Sequence, residues 1–251
     1  MAEPTTDSFI ASDGVRLVWH ELGEGRPVVL LHGLFSNAET NWIRFGHAAE
    51  IAGRGFRVIM PDLRAHGQSD APHEPAAYPP DVLARDGLEL IAHLGLGDYD
   101  LGGYSLGGRT SARMVIMGAT PRRMVISGMG LQGLLRTGSR SDHFRKILKG
   151  LGNHERGSPE WLAEAFLKTT GGDPEALLPL LDSFVDSTEA EVRAISVPTL
   201  VLCGAEDQDN GPAQALAELL PEARYVEVPG NHMSAVTKPE LGRALAEFLD
   251  G

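Results

Sequence analysis

Short apolar runs recur along the chain, separated by longer stretches in which apolar residues return every three or four positions. The runs predict strands at Ser8–Ala11, Val15–Glu21, Pro27–Leu31, Arg57–Met60, Tyr99–Leu101, Met124–Ser127, Pro198–Cys203 and Arg224–Val228. A turn at Asp13-Gly14 joins the first two. Several runs are almost entirely apolar, as expected of strands covered on both faces. Strands alternating with amphipathic helices predict βαβ units, hence an α/β domain with a mostly parallel sheet.

The helical stretches fit between those strands. One spans about Glu39 to Ala52. Another follows Pro79-Pro80, with Val82, Leu83, Leu90, Ile91 and Leu94 on its apolar side. Others follow Ser105 and Pro212. The last is expected to start at Thr237, where Thr-Lys-Pro-Glu reads as a capping box, and to bury Leu241, Leu245, Phe248 and Leu249. Between about Leu134 and Ile195 the alternation stops. That stretch has no convincing strand but carries helix starts at Ser158-Pro159, Asp173-Pro174 and Thr188-Glu-Ala-Glu191. Pro179 is expected to kink or end its helix. The division is therefore a core of residues 1–133 and 196–251, interrupted by a helical cap over 134–195.

Composition narrows the classes of function. A formal charge of −12 argues against nucleic-acid or polyphosphate partners, which need clustered Lys and Arg. No apolar run is long enough to span a membrane, and the N-terminus lacks the basic and apolar regions of a signal peptide. The single cysteine, Cys203, cannot form an internal disulfide, so a cytoplasmic location is the expectation. No cluster at ligand spacing points to a metal, and His66 with His73 does not make one. Gly102 to Gly108 has neither the lysine of a phosphate loop nor dinucleotide-binding spacing. The reading is of an enzyme acting on a small molecule without a cofactor.

The sharpest chemical signal is Gly103-Tyr-Ser105-Leu-Gly107, with a strand leading in and a helix leading out. A nucleophile elbow needs this setting, because its turn is too tight for side chains two positions either side of the serine. A neutral serine also needs a base. From these residues on, the chain resembles the α/β-hydrolase superfamily, in its serine-nucleophile, carboxylesterase-like branch with a helical cap. The resemblance covers nearly the whole chain outside that insertion. It implies an eight-stranded, mostly parallel sheet flanked by helices, and a triad in the chain order serine, acid, histidine. Val197 to Asp207 resembles the superfamily's penultimate core strand and acid loop, and Val226 to His232 its last strand and histidine loop. The implied triad is Ser105, Asp207 and His232. Glu206 and Asp209 flank the acid, Asp209 being the second choice.

His32-Gly-Leu-Phe35 resembles the family's oxyanion loop, which implies that the backbone N–H groups of Leu34 and Leu106 face the developing alkoxide. His32 is read as structural. Asp62, Arg64, His66 and Ser69 match a recurring family segment and are read as ties around a turn at Gly67. Phe35, Met129, Leu131, Leu134, Trp161, Phe166 and Met233 are the expected apolar lining of a substrate pocket beneath the cap.

The expected chemistry is hydrolysis of small to medium carboxylic esters through an acyl-enzyme. One rival is carbon–carbon hydrolysis of anionic ring-fission products with the same triad. It would need a cap arginine, with Arg136, Arg140 and Arg193 available. The other rival is a hydrolase-fold ligand receptor, marked by slow turnover and a ligand-dependent partner. Serine at the nucleophile position argues against haloalkane dehalogenase and epoxide hydrolase chemistry, whose resembling segment carries aspartate.

Overall fold

Alternation along the strands sorts the core onto the two faces of one sheet. In the computed structural model, which describes residues 3–251, the strands are β1 (Thr5–Ile10), β2 (Arg16–Leu22), β3 (Arg26–Leu31), β4 (Phe56–Pro61), β5 (Asp100–Tyr104), β6 (Met124–Ser127), β7 (Thr199–Gly204) and β8 (Ala223–Val228). Their order is β1-β2-β4-β3-β5-β6-β7-β8, with β2 antiparallel to both its neighbours and every pairing from β4 to β8 parallel. Val28, Leu30, Val58, Met60, Leu200 and Leu202 point to one face; Val29, Leu31, Ile59, Leu101, Ile126 and Val201 point to the other.

Helices α1 (His47–Ala52) and α10 (Pro239–Asp250) cover the first face, with Leu241, Leu245 and Leu249 fully buried. Helices α2 (Val82–His93), α3 (Leu106–Ile116) and α9 (Ala213–Leu219) cover the second. Between β6 and β7 run α4 (Leu131–Leu135), α5 (Thr137–Lys149), α6 (Pro159–Thr170), α7 (Pro174–Asp182) and α8 (Glu189–Arg193). No helix among the described residues is long and apolar enough to cross a membrane.

Local signals in the sequence mostly match the caps. Ser158 and Asp173 accept hydrogen bonds at the starts of α6 and α7, and Thr188 with Glu191 forms a complete capping box on α8. Three expectations need correction. The stretch from Glu39 to Ala52 is not one helix. A π-helical turn, Glu39–Ile43, is separated from α1 by Gly46, whose φ is 81°. Thr237 does not cap α10. It ends a short 3₁₀ turn and its hydroxyl donates to the Ser234 carbonyl at 2.7 Å, leaving Lys238 as the N-cap. Pro179 does not end its helix: α7 continues three residues beyond it, with Leu177, Leu180 and Leu181 buried on the core side.

The parallel register brings the carboxyl ends of β3, β5, β6, β7 and β8 to one edge, where the loops after them meet. The loop after β3 is anchored by the loop after β4. The Leu63 N–H donates to His32 Nε2 at 2.9 Å, and the Phe35 N–H to His66 Nε2 at 3.2 Å. Asp62 accepts from the Ala38 and Gln68 N–H groups, each at 2.9 Å, and lies 3.2 Å from His20. The residues around Gly67 are therefore structural ties, as their sequence pattern suggested. Gly67 is required twice over: its φ is 55°, and a Cβ there would lie 2.2 Å from the Asp62 carboxyl carbon.

Both ring acceptors in this network need neutral imidazoles. Burial lowers the His32 and His66 pKa values, His66 to about 3 with the neighbouring His32 adding to the shift. For Asp62 burial acts upward, but hydrogen bonds and nearby histidines outweigh it and hold the carboxyl below its usual value. An unfolded chain takes up protons below pH 6.5 that folded His66 refuses, so stability falls as pH falls from 6.5. At pH 4.5 His66 alone contributes a loss on the order of 3 kcal/mol. Thermal melts are expected to show a lower Tm at pH 4.5 than at pH 7; a flat profile across that window would refute the neutral-histidine account. Gly67→Ala is expected to lower stability at pH 7 by at least about 2 kcal/mol, read by urea unfolding.

Candidate active site

The Ser105 backbone is bent to φ 54° and ψ −115°, a region that L residues avoid. It stands between the end of β5 and the first turn of α3. The expected crowding of Gly103 against Gly107 is present: a Cβ on Gly103 would lie 2.3 Å from the Gly107 carbonyl carbon. Gly107 is pressed from another side. Its Cβ would lie 2.0 Å from the Leu31 carbonyl oxygen, so the elbow packs directly on the end of β3.

Three distant loops meet there. His232 Nε2 is 3.0 Å from Ser105 Oγ, and His232 Nδ1 is 2.8 Å from Asp207 Oδ2. The other Asp207 oxygen accepts from the Asp209 N–H at 3.1 Å. Burial pushes the Asp207 carboxyl up, but its bond to His232 and that residue's charge prevail and hold it below the usual carboxylate range. Asp209 does not take part in the relay. Its carboxylate pairs with Arg140 at 3.2 Å.

Two further residues support the relay, and sequence reasoning passed over both. Tyr104 donates its hydroxyl to the His232 carbonyl at 2.6 Å, and its ring lies 5.4 Å from the imidazole. Cys203 is buried beneath Asp207, and burial with that carboxylate pushes the thiol up to about 12, so it stays protonated. Tyr104 had a positional signal, being next to the serine. Cys203 had none, because nothing local tells which face of β7 meets the acid.

The loop His32–Phe35 lies against the elbow, a Cβ on Gly33 being 3.5 Å from Ser105 Cβ. Asn41 Oδ1 accepts the Gly33 N–H at 3.0 Å and His66 takes that of Phe35. Among the described residues the Leu34 and Leu106 N–H groups have no hydrogen-bond partner.

A cavity of about 470 Å³ opens over Ser105 and His232. Phe35, Phe166 and Met233 line it, as expected from sequence. Phe144, stacked edge-on to Phe35 at 5.3 Å, and Leu162 line it as well. Phe45, Leu162 and Met233 are exposed apolar residues at this cavity, which suits it to an apolar ligand. The other expected lining residues lie elsewhere. Leu134 is fully buried in the core under α9, with Leu131 packed on the same cluster. These two fail as lining because α4 turns inward, with Leu134 packed into the core. Trp161, on α6, is not among the cavity residues, whereas Leu162, Ala163 and Phe166 of the same helix are. Met129 faces a smaller adjoining compartment. Arg140 is the one expected cap arginine in the main cavity; Arg136 is exposed, and Arg193 is 3.9 Å from Glu189 on its own helix. No group of three or more potential metal ligands occurs among the described residues.

A family model described as the alpha/beta hydrolase fold matches residues 26–130. A non-heme haloperoxidase from Rhodococcus erythropolis is 27% identical, with 96% of this chain and 98% of the relative covered. Among solved structures, a hydrolase from Pseudomonas aeruginosa superposes with a TM-score of 0.80 at 23% identity, covering 98% of each chain. An esterase from Thermogutta terrifontis superposes with a TM-score of 0.78 at 24% identity, covering 99% of this chain and 98% of its own. With its sheet order, elbow and family match in agreement, the chain has the α/β-hydrolase fold.

Proposed function

We propose that this hydrolase cleaves carboxylic esters of small to medium size, with Ser105 as nucleophile, His232 as base and Asp207 as its orienting acid. The observation that carries the reading is the hydrogen-bonded chain from Ser105 through His232 to Asp207 at the floor of an apolar cavity. His232 Nε2 takes the Ser105 proton as Oγ attacks the ester carbonyl. Asp207 holds the ring with its Nδ1 protonated and stabilises the imidazolium. The unpaired Leu34 and Leu106 N–H groups receive the oxyanion; each such donor typically contributes about 3 to 4 kcal/mol to the transition state. His232 then returns its proton to the leaving alkoxide, the ester C–O bond breaks, and the acyl group stays on Ser105. A water deprotonated by His232 releases the acid and restores the serine.

Helices α5 and α6 contribute much of the cavity wall, which supports treating the segment between β6 and β7 as a cap that selects substrate. The carbon–carbon hydrolase reading depends on a cap arginine free to hold a carboxylate. Arg140, the cap arginine at the cavity, is instead paired with Asp209 and stacked on Phe144, which weighs against a carboxylate held from the cap.

A fluorophosphonate probe is expected to label Ser105, located by mass, and short-acyl nitrophenyl esters to be turned over. Ser105→Ala and His232→Ala should each abolish labelling and turnover while retaining the native circular dichroism spectrum. Asp207→Asn is expected to lower kcat by about 10³- to 10⁴-fold, and Asp209→Asn by less than about tenfold, since it removes only an exposed ion pair. Full turnover by Ser105→Ala, or a larger loss from Asp209→Asn than from Asp207→Asn, would overturn the assignment.

A further inference from the structure

Beside the main cavity, a second compartment of about 40 Å³ also reaches Ser105. It is walled by Leu34 and Leu106 at the oxyanion side and by Met129, Ser141 and Phe144, and it does not include His232. That difference assigns the two halves of an ester. The leaving alkoxide must lie on the side of the imidazole that protonates it, hence in the large cavity with His232 and Met233. The acyl chain then falls to the small compartment. A volume of this size holds roughly three waters, or an acyl tail of about four non-hydrogen atoms.

Arg109 lines the same compartment, as does Arg140, whose guanidinium is already paired with Asp209. It stands one helical turn beyond Ser105 on α3 and is 6% exposed. The other buried arginines are answered by carboxylates: Arg64 by Asp86 at 2.7 Å and Arg113 by Asp81 at 2.6 Å. Among the described residues Arg109 has no carboxylate at ion-pair distance, Asp81 and Asp186 acting on it only from farther off. Its Nη2 donates to the Val185 carbonyl, its guanidinium lies 5.1 Å over the Phe184 ring, and its Nε–H is buried with no acceptor. Burial pulls the group down only to about 10, so it remains cationic at neutral pH. A buried donor on a cation is costly to leave unmade, and a ligand oxygen in the compartment would complete it.

Resting on the ester-hydrolase reading, we infer that the preferred substrates are monoesters of a short dicarboxylic acid with an apolar alcohol, the free carboxylate being held beside Ser105 by Arg109. Malonyl fits the size, since its tail beyond the ester carbonyl has four non-hydrogen atoms. The net charge of −12 gives such an anion no long-range attraction, so the discrimination must be local.

The test compares monobenzyl malonate with benzyl isovalerate, whose acyl tail has the same number and branching of non-hydrogen atoms but no charge. The wild-type protein is expected to favour the malonate at least tenfold in kcat/KM. Arg109→Gln should bring that ratio to one or below, and Arg109→Lys should retain part of it. Because a buried substitution can compromise folding, the wild-type protein carries a second measurement. Free malonate is expected to inhibit competitively at a concentration at least tenfold lower than isovalerate. Turnover of benzyl isovalerate equal to or faster than that of the malonate would overturn the inference and leave the ester reading standing. So would a malonate preference that survives in folded Arg109→Gln. Absence of turnover with both esters and with the nitrophenyl esters, together with no Ser105 labelling, would instead remove the reading on which it rests.

Discussion

The close contact of the elbow with the end of β3 is the constraint on which the site depends. Gly107 rests so near the Leu31 carbonyl that no side chain fits between them, and the price is a strained serine. That approach brings the His32–Phe35 loop against Ser105, and with it one of the two unpaired amides. The strain is sustained from both sides: β5 is paired on each edge, and α3 is buried along much of its length.

Much of the rest of the site is held by groups behind the cavity wall. Asp62, His32 and His66 form a buried network whose task is to fix backbone amides in the loop after β3. Tyr104, at the cavity, holds the histidine loop by donating to the His232 carbonyl. Such supports matter because a relay of side chains from three loops works only when its hydrogen bonds hold within a few tenths of an ångström. The helices between β6 and β7 have a different role. They contribute side chains to the cavity walls.

Some of this could be read along the chain because it is local. Glycine two positions either side of Ser105, set between a strand and a helix, reports a tight bend wherever it occurs. The apolar runs at Pro27–Leu31 and Pro198–Cys203 report strands buried on both faces. The acid and histidine loops were legible because each follows such a run. Capping failed at Thr237 for an equally local reason: a 3₁₀ turn placed just upstream took the threonine hydroxyl, and spacing alone does not distinguish the two outcomes.

The sequence by itself determined the strands, the elbow, the candidate nucleophile, and the loops from which the carboxylate and imidazole beside it would come, since each is written in contiguous residues. Only the tertiary structure decided that Asp207 rather than Asp209 reaches His232, that Leu134 turns into the core while Phe144 faces the cavity, and that Arg109 is buried without a carboxylate at ion-pair distance among the described residues. These depend on the packing of elements far apart in the chain. A helix's pattern of apolar residues says that one face is buried, but not which neighbour buries it.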